Sequence, residues 1–587
     1  MNTATSLVIN VFSEWFVNKN KILFSKPIWL GSVLLGVVQF AGAVAVPDPS
    51  DQLIRQQERQ QQLRDQQEVR PSVRLEVPQA ATDKLPTSET PCFDIKTIEL
   101  IGPSSESFQW ALAAANQAGD PALGRCLGTQ GINLVMKRVQ NALIARGYTT
   151  SRVIAKTQNL HTGTLQLTLV PGHIAAIRLM SAKSSNINLP ATLPLAPGDL
   201  LNLRAIEQGL ENLKRVPTVD ADIQIAPAQD ANAQPGDSDL LVGWQQQKPW
   251  RLSLGIDDSG SRQTGKIQGS ATLSFDNLLK LSDLLYFSQS QDLGGGVSGP
   301  RGTRSETAHY SFPIQNWLWS FTYSQSHYYQ QVAGQNQSYI YSGDSQNNEV
   351  KWTRLLYRTG RSKTFAWASF WLNTSSNDID DTEILIQNRR TAGWAAGLSR
   401  VDYLGSASLS TDLGYRRGTG AFNAQPAPEE SSGEGTSRLG VVSASAQLSV
   451  PFAVLDQSLR NDLAWRAQWN RTALTPPDRF SIGGRYTVRG FDGQNTLSAE
   501  RGWVVRNDLS WTVPHLAGEL YLGVDYGEVG GPSSDLLLGH HLAGAVIGWR
   551  GQIRQLSFDL FTGQPLSRPS GFDTNRYTAG FSLNASF

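Results

Sequence analysis

Apolar and polar residues alternate through the last three-fifths of the chain, from about Trp250 to Phe587. A period of two residues is typical of β-strands, because successive side chains point to opposite faces. No apolar stripe at helical spacing competes with this pattern. One clear example sets Trp503, Val505, Leu509, Trp511 and Val513 on one face and Arg506, Asp508, Ser510 and Thr512 on the other. The sequence therefore predicts a long series of β-strands.

The apolar faces of these strands are rich in Trp, Tyr and Phe near the strand ends, as in the aromatic girdles of transmembrane barrels. A soluble β-sandwich also alternates, but its apolar face points into a dry core. The roughly 340 residues available, at about 21 per strand and turn, correspond to about 16 strands. We therefore expect residues 247–587 to form a 16-stranded transmembrane antiparallel β-barrel.

The composition agrees with a barrel and excludes other classes of protein. A mean hydropathy of −0.29 is too polar for a bundle of apolar transmembrane helices. A barrel tolerates this value because only alternate residues face lipid. The 51 basic and 50 acidic residues nearly balance, so bulk charge does not indicate a nucleic-acid partner.

The first 45 residues predict an export signal. Lys19, Lys21 and Lys26 precede an apolar run from about 28 to 40, and small residues follow over 41–45. A basic, an apolar and a small-residue region in this order are typical of a cleaved signal peptide. The apolar run is shorter than the ~20 residues that span a bilayer, although an uncleaved anchor stays an alternative.

Residues 46–68 predict a helix that is polar on all sides. Ser50 can cap it, Asp51 favours its first turn, and Gln- and Arg-rich helix formers follow. Its few apolar residues are Leu53, Ile54 and Leu63. Because they form no face wide enough for a core, the helix must lie in water or in a polar cavity. A partly ordered Gln-rich spacer is the alternative. The proline-rich segment 69–91 predicts a flexible linker.

Two successive segments, 92–171 and 172–246, repeat one mixed order of strands and helices. Each has about 75 residues, enough for a small α/β module with one sheet covered by helices. Neither contains a catalytic constellation, so we interpret them as periplasmic docking modules rather than enzymatic domains. Cys92 and Cys126 are the two cysteines of the chain, and an isolated pair in an exported protein predicts a disulfide.

One connection in the barrel region differs from an ordinary hairpin. About 27 residues, roughly 474–500, separate neighbouring strands, which is well beyond the usual hairpin length. Its central run Val488-Arg489-Gly490-Phe491 joins apolar anchors to a cation and predicts a loop folded inward. The expected partner is Asp525 in the run Gly523-Val524-Asp525-Tyr526-Gly527, on the lumen-facing phase of a following strand. An unrelated surface loop and lumen carboxylate are the alternative.

Nothing in the barrel region predicts catalysis. Gly294-Gly295-Gly296 lacks the Lys and Ser/Thr of a phosphate-binding loop. The pair His540-His541 has no cysteine or carboxylate nearby at metal-ligand spacing. We therefore expect no enzymatic activity, no metal and no cofactor.

The loop run and the strand motif resemble those of the two-partner secretion transporters, relatives of the barrel-assembly insertases. The polar helix, the two modules and the terminal Phe587 match the same family. The resemblance implies that the modules are polypeptide-transport-associated (POTRA) domains, POTRA 1 over 92–171 and POTRA 2 over 172–246. It implies that Arg489 contacts Asp525 and that helix 51–68 plugs the resting pore. It also implies that Phe587 belongs to the signal read by the barrel-assembly machinery.

The resemblance further implies a location, a function and partners. Family members lie in the outer membrane of Gram-negative bacteria with their POTRA domains in the periplasm. They bind a large exoprotein through these domains and thread it unfolded through a lipid-embedded barrel to the cell surface. The exoprotein is a haemolysin, an adhesin or a contact-dependent inhibition toxin in members of this family, and no residue named above distinguishes among these three classes. The alternatives are an assembly insertase, which the plug helix disfavours, and a passive porin or surface-exposed adhesin; a porin needs no tandem periplasmic modules.

Overall fold

The described part of the protein, in a computed structural model, comprises residues 49–68, 71–76, 84–181, 186–230 and 233–587. The signal peptide expected over residues 1–45 lies outside the described residues. Among the described residues, no helix combines the length and the apolar character needed to cross a membrane.

Helix α1, Pro49–Gln67, is the polar helix expected from the sequence. Its 19 residues correspond to a length of about 28 Å. That length is close to the ~30 Å thickness of the hydrocarbon core of a bilayer. A helix of this length can therefore follow a barrel lumen from one membrane face to the other.

POTRA 1 is built on a three-stranded sheet that packs against one α-helix and the 3₁₀ helix Ser105–Ala115. Its elements are β1 Phe93–Ile95, β2 Thr97–Ile101, β3 Asn116–Gln117, β4 Asp120–Pro121, β5 Arg125–Leu127, α2 Thr129–Ala145, β6 Arg152–Ile154 and β7 Thr164–Val170. The sheet has the order β2-β7-β6, with β2 and β7 parallel. Val135, Val139 and Leu143 recur at helical spacing on α2 and pack on the alternating Leu165 and Leu167 of β7.

Cys92 and Cys126 form a disulfide with Cα atoms 5.2 Å apart, and it joins the start of POTRA 1 to β5. The segment before it, which the sequence predicts to be a flexible linker, makes hydrogen bonds with POTRA 1 near its C-terminal end. The Leu85 backbone N–H donates to Asp120 Oδ2 at 2.9 Å. The Glu89 carboxylate accepts hydrogen bonds from backbone N–H groups of Gly128 and Gly131 at the start of α2. A carboxylate there satisfies N–H groups that have no partner within the helix.

POTRA 2 repeats the arrangement on a smaller scale. Its elements are β8 Ile174–Leu179, α3 Leu189–Thr192, α4 Leu203–Leu213, β9 Val219–Pro227 and β10 Ser238–Gln246. The sheet has the order β8-β10-β9. Asn202 caps α4 by accepting a hydrogen bond from the Arg204 N–H, and Ile206 and Leu210 of α4 are buried in the core.

Residues 250–587, all of them described, form a closed barrel with antiparallel pairing between neighbouring strands. The strands from the N-terminal half are β11 Trp250–Asp257, β12 Ile267–Asp276, β13 Leu284–Gly294, β14 Arg301–Ile314, β15 Trp317–Ala333, β16 Ser338–Arg358, β17 Ser362–Ile379, the two-residue β18 Thr382–Glu383 and β19 Arg389–Leu404. The remaining strands are β20 Ala407–Thr419, β21 Gly440–Val454, β22 Gln457–Asn470, β23 Phe480–Ile482, β24 Leu497–Ala499, β25 Arg501–Thr512, β26 Glu519–Gly530, β27 His541–Ile553, β28 Leu556–Ser567 and β29 Thr578–Ser586.

Sixteen of these strands make the barrel wall. The short β18 only extends the edge of β17, which pairs directly with β19, and β23 and β24 pair with each other inside the inserted loop. The 16-stranded antiparallel barrel expected from the sequence is therefore confirmed.

The alternation places apolar side chains outside and polar ones inside. On β26, Leu522, Val524 and Tyr526 are exposed on the outer surface, whereas Asp525 between them is buried. Because lipid cannot satisfy backbone polar groups, the barrel must also close its first strand on its last. β11 pairs with β29 over five residues, and the Phe587 N–H donates to the Leu252 carbonyl at 2.9 Å.

Candidate functional site in the barrel lumen

The connection between β22 and β25, residues 471–500, folds into the barrel rather than projecting from it. Val488 is fully buried and Phe491 is 5% exposed. They form a cluster with Leu542 of β27 and with Phe572, whose ring meets that of Phe491 edge to face at 5.9 Å. These apolar contacts anchor the loop on both sides of Arg489.

Arg489 contacts the partner proposed from the sequence. Its Nε and Nη2 atoms donate to the two Asp525 oxygens, each at 2.7 Å, and its backbone N–H donates to Asp525 Oδ2 at 2.9 Å. Arg489 is 4% exposed and Asp525 1% exposed. This is the planar two-point contact that a guanidinium makes with a carboxylate.

Asp508 of β25 is a second carboxylate for Arg489, and the sequence analysis did not assign it. Its two oxygens accept hydrogen bonds from Nη1 and Nη2 of Arg489. A signal was present in the sequence: Asp508 lies on the polar face of its strand, and β25 is the strand that follows the loop. Its pairing with Gly523 on β26 places it beside Asp525.

The glycines of the two motifs allow the loop to approach the wall. Gly490 has a φ of +97°, and a Cβ there would lie 2.5 Å from the Gln564 carbonyl oxygen. A Cβ on Gly523 would lie 2.6 Å from Arg489 Nη2, and one on Gly527 would lie 3.0 Å from a methyl group of Val488. Glycine is therefore required where loop and strand meet.

The Arg489 site continues into a network of charges on the lumen wall. Arg550 of β27 donates to Asp508 Oδ2 at 3.1 Å and to Glu519 Oε1 at 2.6 Å. Arg460 of β22 donates to the same Glu519 oxygen at 2.7 Å. Three cations thus alternate with carboxylates across β22, β25, β26 and β27. This network connects the inserted loop, through Arg489, to four strands of the barrel wall.

Helix α1 fills much of the remaining lumen through side-chain hydrogen bonds. Its buried glutamines contact serines on the wall: Gln52 with Ser261, Gln56 with Ser345, Gln60 with Ser324 and Gln67 with Ser274. Arg64 pairs with Glu349 at 3.0 Å, and Arg55 donates to the Gly493 carbonyl of the inserted loop. The helix therefore contacts the wall and the loop simultaneously.

A cavity of about 280 Å³ remains between α1 and the wall. Among its lining residues are Gln62 and Gln66 of α1 and the cations Arg489, Arg506 and Arg550. The space beside the helix is therefore polar and suited to water. Phe587, which the sequence assigned to the assembly signal, lies apart from this region at the seam of the barrel, with its side chain exposed.

Comparison with known protein families identifies the architecture. A model described as haemolysin secretion/activation protein ShlB/FhaC/HecB matches residues 236–551, more than half of the chain. The chain belongs to this family. A POTRA domain model of ShlB type matches residues 93–172, and a second POTRA domain model matches residues 173–227. The resemblance noted in the sequence is confirmed.

Relatives match over most of their length. The outer membrane transporter CdiB-2 of Burkholderia pseudomallei (strain 1026b) is 35% identical, and the alignment covers 93% of this chain and 97% of that protein. The hemolysin transporter protein ShlB of Serratia marcescens is 24% identical, with 69% and 71% covered. The solved structure of CdiB from Acinetobacter baumannii has a TM-score of 0.80 at 31% identity and covers 92% of this chain and all of that one.

The protein is therefore an outer-membrane transporter of the two-partner secretion type, as the sequence predicted. Transporters of this family work with secreted exoprotein partners. The site described above lies on the inner wall of the barrel of this transporter.

Proposed function

We propose that the POTRA domains receive one large unfolded exoprotein, that α1 leaves the lumen, and that the exoprotein threads past Arg489 to the cell surface. The observation that carries this proposal is the way in which α1 is held. Many of its contacts are hydrogen bonds between uncharged side chains, each worth about 0.5–1.5 kcal/mol net, and Arg64 with Glu349 adds a partly exposed ion pair on the wall. Water or a polar polypeptide can replace such contacts at little cost.

The lumen is suited to an unfolded chain. A polypeptide in transit exposes backbone N–H and C=O groups, which lose several kcal/mol each if they find no partner. The serines that now face α1, together with Gln268 and Asn347 of the wall, offer such partners. No catalytic step enters this proposal, and folding of the exoprotein outside the cell provides the direction of movement.

Removal of residues 49–68 tests the proposal. We expect the shortened protein to show a larger ionic conductance in planar bilayers, because its lumen loses a helix about 28 Å long. Replacement of the same residues by a Gly-Ser segment of equal length is the control for chain length. Unchanged conductance in both variants would show that α1 does not plug the pore. Transport itself is tested by deleting the whole gene in the parent strain, which should abolish secretion of the exoprotein.

The proposal extends to assembly of the barrel. Phe587 presents an exposed aromatic side chain at the last strand, where the barrel-assembly machinery and then lipid would contact it. Phe587→Ala keeps the backbone contacts with Leu252, so we expect a folded but less abundant barrel. Heat-modifiable migration on gels measures the folded fraction, and Leu556→Ala, also on the outer surface, is the control.

A further inference from the structure

Three arginines lie close together on the outer face of the barrel, at its extracellular end. They are Arg417 of β20, Arg438 just before β21 and Arg471 just after β22, and we call them the outer arginine cluster. POTRA 2 lies in the periplasm and leads directly into β11, so every odd strand of the wall runs towards the cell surface. β20 is the ninth wall strand, and Arg417 lies near its end.

Arg417 faces away from the lumen. Its neighbour Arg416 faces inward, where its Nη1 donates to Asp478 Oδ1 at 3.0 Å and its guanidinium lies 4.0 Å from the centre of the buried Trp371 ring. Successive side chains of a strand point to opposite faces, so Arg417 points outward. It pairs in register with Trp394, whose ring is exposed on the outer surface.

Gly440 of β21 lies between Arg417 and Arg471. It pairs in register with Arg417, and its carbonyl accepts a hydrogen bond from the Arg471 N–H at 2.7 Å. A Cβ on Gly440 would lie 3.3 Å from Arg417 Nη1 and 3.3 Å from Arg471 Cβ, so both side chains border this glycine. The exposed Trp469 lies two residues before Arg471 and shares its face. Neighbouring strands are about 4.8 Å apart, so the two arginine side chains start about 10 Å from each other.

Arg438 joins the cluster from the connection between β20 and β21. Its side chain is exposed, and its guanidinium packs on Gly420, where any side chain would collide with it. Gly420 directly follows the last residue of β20 and is three positions from Arg417. Arg438 therefore lies over the end of the strand that carries Arg417.

The outer arginine cluster has no carboxylate of its own. Among residues 233–587, all of them described, no acidic side chain forms an ion pair with any of its three members. The acidic residues of the neighbouring connections already have other partners, since Glu429 pairs with Arg389 and Asp478 pairs with Arg416. The positive charge of the cluster is thus not balanced by the chain.

Two other arginines on the outer face differ in this respect. Arg304 pairs with Glu306 on β14, and Arg400 pairs with Asp402 on β19. Each carboxylate lies two residues further along the same strand and therefore on the same face. These two cations are compensated internally, whereas the outer arginine cluster is available to an anion from the membrane.

The chemistry of the cluster matches a phosphorylated lipid headgroup. A guanidinium binds a phosphate through two parallel hydrogen bonds, and clustered cations at a membrane surface bind anionic headgroups. Tryptophans such as Trp394 and Trp469 favour the interface between headgroups and acyl chains. The outer leaflet of a Gram-negative outer membrane consists of lipopolysaccharide, whose lipid A carries phosphates on a disaccharide directly above its acyl chains.

We propose that the outer arginine cluster binds a phosphate of lipid A, with Trp394 and Trp469 against the acyl chains of the same lipid. The bound lipid connects two extracellular segments. Arg438 belongs to the connection between β20 and β21, and Arg471 is the first residue of the connection that folds into the lumen. Leu439 and Leu474 of these two connections share a buried apolar cluster. A phosphate held by both arginines therefore ties the outer ends of β20, β21 and β22 together where the inserted loop begins.

Native mass spectrometry of the full chain in detergent tests the site, with purified bisphosphorylated lipid A as the probe. We expect Arg417→Gln with Arg438→Gln and Arg471→Gln to weaken lipid A binding at least tenfold. The matched control is Arg304→Gln with Arg400→Gln, which removes two outward arginines that have their own carboxylates and should leave binding unchanged. Heat-modifiable migration on gels reports whether each variant is folded. Equal binding by the triple variant and the unaltered chain would overturn the proposal.

Changes in the lipid test the same site without any substitution in the protein. The unaltered chain should bind lipid A lacking both phosphates at least tenfold more weakly. It should bind phosphatidylglycerol, a phospholipid with a single phosphate, at least fivefold more weakly. Equal binding of the dephosphorylated lipid would exclude recognition of the phosphate. Equal binding of phosphatidylglycerol, or displacement of lipid A by millimolar inorganic phosphate, would overturn lipid A as the occupant.

Hydrogen exchange locates the bound lipid. Addition of lipid A should slow exchange of the amides in the connection 420–439 at least threefold in the unaltered chain and not in the triple variant. The connection 568–577, at the same end of the barrel, is the internal control and should not respond. Unchanged exchange over 420–439 with lipid A bound would place the lipid elsewhere and overturn the site. These measurements need no exoprotein, so their outcome is independent of transport.

Discussion

Arg489 and Asp525 meet in a two-point contact inside the barrel, with both carboxylate oxygens 2.7 Å from guanidinium nitrogens. Both residues are almost completely buried, so neither charge is compensated by bulk water. Asp508 adds a second carboxylate, which accepts hydrogen bonds from Nη1 and Nη2 of the same guanidinium. The Arg489 side chain thus compensates two buried carboxylates at once.

Replacement of Arg489 by Ala should therefore displace the inserted loop. Removing one partner of a buried ion pair costs about 3–5 kcal/mol, because the remaining charges lose their compensation. We expect secretion to fall at least tenfold while the amount of folded barrel stays within about twofold. Secreted exoprotein and heat-modifiable barrel, measured on the same cells, check this. Arg489→Lys should retain the charge but lose the two-point contact, with an intermediate effect. Normal secretion by Arg489→Ala would exclude a role of the site in transport.

The buried glutamines of α1 should control how firmly the plug is held. Gln56→Leu with Gln60→Leu removes hydrogen bonds to Ser345 and Ser324, although Ser345 keeps its contact with Ser326. The loss of each bond removes about 0.5–1.5 kcal/mol of net stabilisation of the plug. We expect more frequent opening in planar bilayers. The matched control is Gln57→Leu with Gln61→Leu, two exposed positions on the same helix, which should leave the opening frequency unchanged. Equal effects of both pairs would contradict the assigned contacts.

Two sequence patterns, the alternation of apolar and polar residues and the helix that is polar on all sides, made the fold predictable, because each has one physical explanation. Alternation over residues 250–587 separates lipid from a polar lumen, and only a closed barrel satisfies every strand edge. The sequence predicted that helix α1 lies in water or in a polar cavity, since a helix without an apolar face cannot join a core, and the family resemblance then implied a plug. The contact between Arg489 and Asp525 could be proposed because the loop was too long and too apolar for a hairpin tip.

Other parts of the site depend on which strands become neighbours. Asp508 faces the lumen in the sequence pattern, but its distance from Arg489 follows from the pairing of β25 with β26. The contacts of residues 71–76 with helix α4 join residues more than 130 positions apart in the chain, as between Val73 and Glu211. The proline-rich composition of residues 69–91 predicted a flexible linker. Composition does not show which surface of the folded protein a segment will contact, so the contacts with α4 could not be predicted.

Asp120 should make the stability of POTRA 1 depend on pH. The Leu85 backbone N–H and then the Arg138 guanidinium hold the pKa of Asp120 below its ordinary value. Because the folded pKa is lowered, the carboxylate stabilises the domain above pH about 4 and this stability is lost as the pH falls through the folded pKa. Asp120→Asn should remove this dependence and destabilise the domain at neutral pH. Hydrogen exchange of POTRA 1 amides in the full chain, corrected for intrinsic rates, measures both effects. Asp94→Asn, on an exposed carboxylate of β1, is the control.

The disulfide between Cys92 and Cys126 should stabilise POTRA 1 by closing a loop in its unfolded chain. The two cysteines are 34 positions apart, and a loop of that size corresponds to a stabilisation of about 4 kcal/mol. We expect the double change Cys92→Ser and Cys126→Ser to expose POTRA 1 to proteolysis while the barrel, which does not contain the disulfide, stays heat-modifiable. Trypsin digestion of outer-membrane preparations with and without reductant measures this effect. The disulfide does not determine the stability of the domain if two results are found together. The unaltered protein would resist trypsin equally with and without reductant, and the double variant would resist trypsin as well.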